Sequence, residues 1–271
     1  MSQAATRPAE PVLLREDRGG IATLTLNRGP QRNSLSEALM AAITDELASI
    51  AKDPAVRVVV LAANGPAFCA GHDLKELTAR RADGDRGRAY YQKIMKQCGT
   101  MMQAIVRLPK PVIARVHGIA TAAGCQLVAS CDLAICTEDA RFATPGVNIG
   151  LFCSTPMVAL SRNLSRKHAM EMLLLGEMID AARAAEFGLV NRVVPAAGLD
   201  AAVAEFAGTI ASKSALTVSI GKEAFYNQLE QGLSDAYDYA AEVMVRNMLA
   251  RDAEEGIGAF IEKREPKWED R

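Results

Sequence analysis

Two runs of small residues stand where backbone groups could hold a negatively charged oxygen. The first, Ala67–Leu77, follows a β-branched apolar stretch and contains the sequence Gly-His-Asp at 71–73. The second is Gly118–Gln126, which is rich in Gly and Ala. A strand that turns through small residues into a helix leaves backbone N–H groups unpaired, and the helix N-terminus adds a favourable partial charge. Two such turns can direct two N–H donors at one oxyanion.

Each turn alone could have a purely structural role instead of binding an oxyanion, because close packing of a helix on a sheet also requires Gly and Ala. Among the side chains of the two turns, only His72 has an unperturbed pKa near neutrality. Farther along the chain, Cys153 could ionise if its surroundings favoured the thiolate. The competing interpretation of His72 is a turn residue that donates only its backbone N–H. The competing interpretation of Cys153 is apolar packing. These alternatives stay open at the level of the sequence.

The composition limits the classes of protein that can carry such turns. The chain has 271 residues, is 49% hydrophobic and has a formal net charge of −1, which argues against electrostatic binding of nucleic acid or of an anionic membrane. It contains neither a long apolar run nor an apolar secretory signal in its first residues, so we expect no membrane association and a cytoplasmic location. The six cysteines form no CxxC pair, which predicts reduced core residues and no metal site.

Hydrophobic periodicity predicts an α/β protein in which strands and helices alternate to about Val194. After Pro195 the pattern is typical of helices only, which places a domain boundary near residue 200. The polar segment 80–88 predicts a mobile surface loop, which is either a solvated linker or a segment that acts as a lid or contacts phosphate. We therefore predict a loose tail at 1–11, an α/β domain at 12–199 and a helical domain at 200–271. The predicted strands begin near Ile21, Val56, Pro111 and Leu133, and the predicted helices include Glu37–Ala51, Cys125–Ser130 and four after residue 199.

The two turns, in this order and at this separation, resemble those of the crotonase superfamily, the enoyl-CoA hydratases and isomerases. Four further motifs carry the same resemblance, which extends from Val12 to Trp268. The motifs are Pro109-Lys110-Pro111-Val112, Cys131-Asp132-Leu133-Ala134, Glu171-Met172-Leu173-Leu174-Leu175-Gly176 and Gly256–Arg264. The segment Phe142–Pro156 is most similar to one subgroup of that superfamily.

This resemblance implies a spiral of ββα repeats that binds an acyl-coenzyme A thioester, followed by a helical region that builds homotrimers or dimers of trimers. Coenzyme A would enter as part of the substrate, with no permanently bound cofactor. The oxyanion hole would consist of the N–H groups of His72 and Ala123. The adenine would lie against the backbone at Ala70, Gly71, His72 and Asp73, a basic residue at Arg28 would approach the phosphates, and Phe260 and Lys263 would meet the cofactor from a neighbouring region or subunit.

The sequence departs from the family pattern where hydratases carry two glutamates that hold and activate water. The matching positions are Gln126 and Gly146, and neither an amide nor a glycine can act as a base. Ser154 stands where some related enzymes place an acidic residue. We therefore expect weak or altered hydration, and we expect that restoring both carboxylates would raise it if the pocket is otherwise intact.

Three hypotheses follow from these residues. The first is an acyl-CoA lyase or isomerase of the hydratase type with altered chemistry. The second is a decarboxylase of malonyl-type thioesters, or a thioester hydrolase, because decarboxylation needs little more than an oxyanion hole for the enolate. The third is an acyl-CoA binding or regulatory protein without catalytic activity.

Overall fold

The computed structural model describes residues 10–271, so most of the predicted tail at 1–11 lies outside the described residues. The strands are β1 Leu13–Arg18, β2 Ile21–Leu26, β3 Val58–Ala63, β4 Val112–Val116, β5 Ile119–Thr121, β6 Leu133–Thr137, β7 Arg141–Ala143, β8 Ile179–Asp180 and β9 Arg192–Val194. The helices are α1 Glu37–Lys52, α2 Leu74–Ala79, α3 Arg88–Arg107, α4 Ala123–Ser130, α5 Ser154–Asn163, α6 Arg166–Leu175, α7 Ala181–Phe187, α8 Leu199–Ala211, α9 Ala215–Gln228, α10 Leu233–Met248 and α11 Arg251–Glu262.

The larger sheet has six strands in the order β1-β2-β3-β4-β6-β9. Only the β1–β2 pair is antiparallel, and the remaining pairs are parallel. All six residues of β3 are buried, as expected of a β-branched run covered on both faces. The carboxyl ends of β3 and β4 lead into the two turns that the sequence singles out.

A second sheet pairs β5 with β7 in parallel and β7 with β8 in antiparallel orientation. It changes one expectation, because residues 119–121 form a strand inside the segment predicted as a turn. The Cys69 N–H donates to the Ile119 carbonyl at 3.1 Å, and the Thr121 N–H donates to the Cys69 carbonyl at 2.9 Å. Three residues are too few to show a period, so hydrophobic periodicity could not reveal this strand.

The main core lies between the larger sheet and the helices α1, α3 and α4. Ser36 caps α1, where its hydroxyl accepts the Leu39 N–H at 3.2 Å. Along α3 the buried side chains recur at three- and four-residue intervals, which is the pattern of a helix with one apolar face. Those side chains are Ile94, Cys98, Met101, Met102 and Ile105.

The helices after residue 199 differ in how they pack. Helix α8 lies on the larger sheet, with Leu199, Val203 and Ala207 buried against Val58 and its neighbours. In α10 no side chain is buried, and α10 and α11 expose large apolar side chains. The predicted boundary near residue 200 stays a prediction, and it falls at the start of a helix that packs on the sheet.

The segment predicted as a surface loop at 80–88 contains one short 3₁₀ turn, Arg80–Ala82, and leads directly into α3. Asp85 fixes the entry to α3, because its carboxylate accepts the N–H groups of Gly87 and Ala89 at 2.9 and 2.8 Å. Within residues 10–271 no helix combines the length and apolarity needed to cross a bilayer. The same residues contain no cluster of three or more His, Cys, Asp or Glu side chains that could hold a metal ion.

Candidate functional site

The first turn, residues 67–73, and the second turn, residues 118–124, lie directly against each other. A side-chain Cβ on Gly124 would stand only 2.0 Å from the Cys69 carbonyl oxygen, so only glycine fits there. Gly71, at φ +90°, is similarly close, and a Cβ on it would lie 2.9 Å from the Ala122 Cβ and 3.3 Å from the Ala123 nitrogen. The two glycines therefore permit the contact that brings the predicted donor residues together.

The N–H group of His72 is free because of the way its neighbours pair. The Leu35 N–H donates to the Gly71 carbonyl at 2.8 Å, and the Asp73 N–H donates to the Leu35 carbonyl at 3.1 Å. In a parallel bridge of this kind the residue between the two bonded ones turns its own N–H to the opposite side. Within the described residues no acceptor receives the His72 N–H.

Within residues 10–271 no acceptor receives the Ala123 N–H. Ala123 is the first residue of α4, and the first helical N–H groups have no partner within a helix. Its predecessor Ala122 has φ +50° and ψ −118°, a conformation that costs about 1–3 kcal/mol for a residue other than glycine. The Ala122 N–H is held by the Ala143 carbonyl at 2.9 Å. Strand β7 thus fixes the strained residue that sets the direction of the Ala123 N–H.

The imidazole of His72 has surroundings quite different from those of its backbone. Both ring nitrogens are buried, and within residues 10–271 neither has a hydrogen-bond partner. Burial lowers the pKa of His72 below its ordinary value, so the ring is neutral at neutral pH. This environment favours the interpretation in which His72 contributes its backbone N–H.

Gln126 follows Ala123 by three residues, so both lie on one face of α4. Its side chain is 4% exposed, and the Cys98 thiol lies 3.9 Å from its Oε1 atom. Within the described part of the chain its amide nitrogen has no acceptor. A buried, neutral amide next to the free N–H groups can orient a polar group by hydrogen bonding but cannot remove a proton.

Gly146 lies in the loop 144–154, which folds back on it. The Leu151 N–H donates to the Gly146 carbonyl at 2.9 Å, and a Cβ on Gly146 would stand 2.6 Å from the Leu151 oxygen and 2.9 Å from the Cys153 sulphur. No side chain fits at this position unless the loop moves. The space that the resemblance assigns to a glutamate is therefore filled by the loop itself.

Cys153 and Ser154 end this loop and begin α5. Burial raises the pKa of the Cys153 thiol, and a hydrogen bond from the Gly146 backbone only partly offsets it, so the thiol is protonated at neutral pH. The Ser154 hydroxyl donates to the Phe152 carbonyl at 3.3 Å. Neither side chain therefore supplies a base.

Arg28 forms an ion pair with Asp73 in which Nη2 and Oδ2 are 3.0 Å apart. The two side chains are 16% and 11% exposed, so the pair is shielded from solvent. Desolvation raises the pKa of Asp73, but Arg28 and the N–H groups of Glu76 and Lys75 outweigh it, and the pKa lies below its ordinary value. Asp73 is consequently ionised and caps α2.

The predicted cofactor contacts in the helical region lie at the end of α11. Phe260 is 84% exposed, and Lys263 is a left-handed C-cap with φ +56°. Ala70 and Gly71 lie in the first turn beside Asp73. Sequence reasoning assigned Asn33 no part in the site. Asn33 is a fully buried residue with φ +52° that donates a hydrogen bond to the first turn. Its residue type gave no signal, because Asn is common in turns.

Comparison with known proteins gives a consistent result. The family model described as Enoyl-CoA hydratase/isomerase matches residues 16–271. The chain is similar to Enoyl-CoA hydratase domain-containing protein 3, mitochondrial, of Rattus norvegicus, at 44% identity over 98% of this chain and 89% of that protein. For the Homo sapiens protein of the same name the identity is 46%, over 92% of this chain and 80% of that protein.

Among solved structures, that of an enoyl-CoA hydratase from Mycobacterium smegmatis is similar at a TM-score of 0.91 and 54% identity, over 96% of this chain and 99% of that chain. The crotonase-type α/β fold with its C-terminal helices is thereby confirmed, as is the resemblance of the chain to the subgroup that contains the vertebrate proteins.

The predicted cytoplasmic location is wrong, because the names of the vertebrate relatives place those proteins in the mitochondrion. The prediction depended on the lack of an apolar secretory signal, and that lack does not bear on import into mitochondria. The fold and the match over residues 16–271 lead to one conclusion on ancestry. The chain belongs to the enoyl-CoA hydratase/isomerase family.

Proposed function

We propose that this protein binds an acyl-coenzyme A thioester and polarises its carbonyl with the N–H groups of His72 and Ala123. The observation that carries the proposal is the contact between the two turns, where Gly71 and Gly124 bring two unbonded N–H groups to one place. Fixed donors that need no reorganisation stabilise the negative charge that develops on a thioester oxygen.

The proposal includes a defect in acid–base chemistry. The positions that match the two hydratase glutamates are held by Gln126 and Gly146. Of the nearby side chains, the Cys153 thiol is protonated and the Ser154 hydroxyl is not basic, while burial makes the His72 imidazole a weaker base than an ordinary histidine. Hydration of an enoyl thioester needs a group that activates water, and a positioned acid or base contributes about 10²- to 10⁴-fold. We therefore expect that hydration is slow while thioester binding is intact.

Coenzyme A would be bound as part of the substrate by the first turn, at Ala70 to Asp73, and by Phe260 and Lys263 at the end of α11. The exposed apolar side chains of α10 and α11 support a homotrimer or a dimer of trimers, because exposed side chains such as Leu233, Leu249 and Ile261 are typical of an interface. Sedimentation of the purified protein would distinguish these assemblies from a monomer.

The first experiment is an assay with crotonyl-CoA, in which loss of the conjugated enoyl absorbance is followed while coenzyme A binding is measured by calorimetry on the same sample. Binding with turnover at least about 10²-fold below that of a hydratase with both glutamates would support the proposal. Absence of binding would contradict it, and rapid hydration would contradict the proposed defect.

The second candidate is decarboxylation of a malonyl-type thioester, or hydrolysis of the thioester. The observation in its favour is that the two N–H donors remain although Gln126 and Gly146 hold the positions that match the hydratase glutamates, and such donors suffice for an enolate formed by loss of CO₂. Turnover of methylmalonyl-CoA without turnover of crotonyl-CoA would favour it. Tight binding with no turnover of any thioester would instead favour an acyl-CoA binding or regulatory protein.

A further inference from the structure

Segment 28–36 runs alongside the first turn and bonds to both ends of it. Asn33 donates through Nδ2 to the Ala67 carbonyl at 2.8 Å, at the start of the turn. The Ala70 N–H donates to the Arg32 carbonyl at 3.0 Å in the middle of it. Arg28 pairs with Asp73 at its end. His72 is therefore held between fixed residues of one neighbouring segment.

Asn33 connects this arrangement. Its Oδ1 accepts the Arg28 N–H at 2.8 Å, and its Nδ2 also donates to the Asn64 carbonyl at 2.7 Å. The side chain is fully buried, and so is its bond to the Ala67 carbonyl, whereas its bonds to Arg28 and Asn64 are part-buried. Losing one would leave a backbone group unsatisfied inside the protein. Asn tolerates the left-handed φ of +52° that this geometry requires better than most residues.

Arg28 is already engaged by protein groups. Its Nη1 donates to the Ser34 carbonyl and its Nη2 to the Asp73 carboxylate, and the Ser34 hydroxyl donates to the same carboxylate at 3.3 Å. The two opposite charges neutralise each other within a shielded pair. A phosphate that approached Arg28 would have to compete with the Asp73 carboxylate, which also caps α2.

We propose that Arg28 and Asn33 are positioning residues for the oxyanion donor His72, and that Arg28 acts through Asp73 rather than on a phosphate of coenzyme A. The inference rests on the proposed function and goes beyond it. A donor misplaced by about 1 Å can cost about 10²-fold in rate, so a hydrogen-bonded segment that fixes His72 has a direct effect on the polarisation of the thioester.

The test measures the carbonyl stretch of a bound ¹³C-labelled acetyl thioester by Raman difference spectroscopy, which reports polarisation without turnover. Two thioesters are compared, one of coenzyme A and one of pantetheine, which has no phosphate. The variants are Arg28→Gln and Asn33→Asp. The control is Arg15→Gln. Arg15 is similarly shielded at 21% exposure, but it pairs with Asp17 on β1, with Glu46 on α1 and with Asp53 just after α1.

We expect the wild type and Arg15→Gln to shift the carbonyl stretch to lower frequency in both thioesters. Arg28→Gln should lose at least about half of that shift in both, with affinity for both weakened by about tenfold, since a charge-assisted hydrogen bond is lost. Asn33→Asp should lose the shift too, because a carboxylate would face the carbonyl oxygens of Asn64 and Ala67. Melting curves show whether this variant folds. If it does not fold, the result for Arg28→Gln alone decides whether the segment positions His72.

An unchanged carbonyl shift in Arg28→Gln, with weaker binding of the coenzyme A thioester alone, would overturn the inference and assign Arg28 to the phosphates. A wild-type protein that binds the thioester without any shift would contradict the proposed oxyanion hole itself. The two failures are therefore distinguishable in one set of spectra.

Discussion

The two turns and the loop 144–154 meet around the same candidate site but are built differently. The turns are fixed by backbone hydrogen bonds and by close glycine contacts, and two N–H groups are left free. The loop closes on Gly146, buries Cys153 and exposes the apolar side chains of Ile149, Leu151 and Phe152. In the proposed function the turns polarise a carbonyl, whereas the loop offers no carboxylate and its one thiol is protonated at neutral pH.

Binding and proton transfer can therefore be separated within one fold. Backbone donors depend on how the chain is folded, and any substitution that preserves the turns preserves them. Proton transfer depends on individual side chains, and single substitutions remove it. A family member can lose hydration while it retains the means to bind and polarise a thioester.

The most severe test of the contact between the turns is Gly124→Ala. The new Cβ would stand 2.0 Å from the Cys69 carbonyl oxygen, and two backbone segments would have to separate. We expect the free energy of unfolding to fall by at least about 3 kcal/mol, or folding to fail, with loss of coenzyme A binding. Chemical denaturation followed by circular dichroism measures the first quantity.

The matched control is Gly99→Ala, because Gly99 lies inside α3 and a Cβ added there would meet nothing within 4 Å. Alanine favours a helix interior over glycine by about 0.5–1 kcal/mol, so this variant should be slightly more stable than the wild type. If Gly124→Ala were as stable as Gly99→Ala, the close contact between the two turns would be refuted.

The turns could be found from the sequence because a small-residue segment between a buried strand and a helix has a recognisable composition. The element order also followed from periodicity, as the helix predicted at Glu37–Ala51 and found at Glu37–Lys52 illustrates. The collapse of the loop onto Gly146 could not be predicted from the sequence. A glycine in the sequence shows that a side chain is missing but not which residues occupy its space. Asn33 was missed for a similar reason: its three hydrogen bonds join residues up to 34 positions apart.

In a hydratase pocket that had lost only two side chains, restoring the glutamates would restore hydration. In this protein, a glutamate at position 146 should not restore hydration, because the loop occupies its space. In Gln126→Glu combined with Gly146→Glu, the Cβ at 146 would collide with the Leu151 carbonyl and the Cys153 sulphur. We expect a loss of about 1–3 kcal/mol in the free energy of unfolding and no gain in hydration of crotonyl-CoA. This differs from the expectation based on the sequence alone, in which both carboxylates would restore activity.

Gly146→Ala separates the steric effect from the charge, because it introduces the same Cβ without a carboxylate. If Gly146→Ala lost as much stability as the single variant Gly146→Glu, the loss would be due to the collision of the Cβ with the loop and not to the charge. A gain of hydration by orders of magnitude in the double variant would show that the loop opens readily, and the contrast between the two regions would then no longer hold.

Acid titration examines the ion pair at the end of the first turn. The folded-state pKa of Asp73 is lowered, so its contribution to stability is present above the unfolded pKa of about 3.9 and is lost as the pH falls through the folded value. Asp73→Asn should be less stable than the wild type by about 1–3 kcal/mol at pH 7, with a difference that narrows below about pH 4. A difference that did not change with pH would exclude the ionised pair as its cause.

The smallest expected effect concerns the thiol in the loop. Burial raises the pKa of Cys153, so at neutral pH its thiolate fraction is below that of an ordinary cysteine, and alkylation by iodoacetamide should be slow. The rate should rise as the pH is increased, and Cys153→Ser should remove the labelled peptide without changing coenzyme A binding. Rapid labelling at pH 7 would mean that the loop opens often, which would make the closed loop a gate over the donors rather than a fixed replacement for the glutamate.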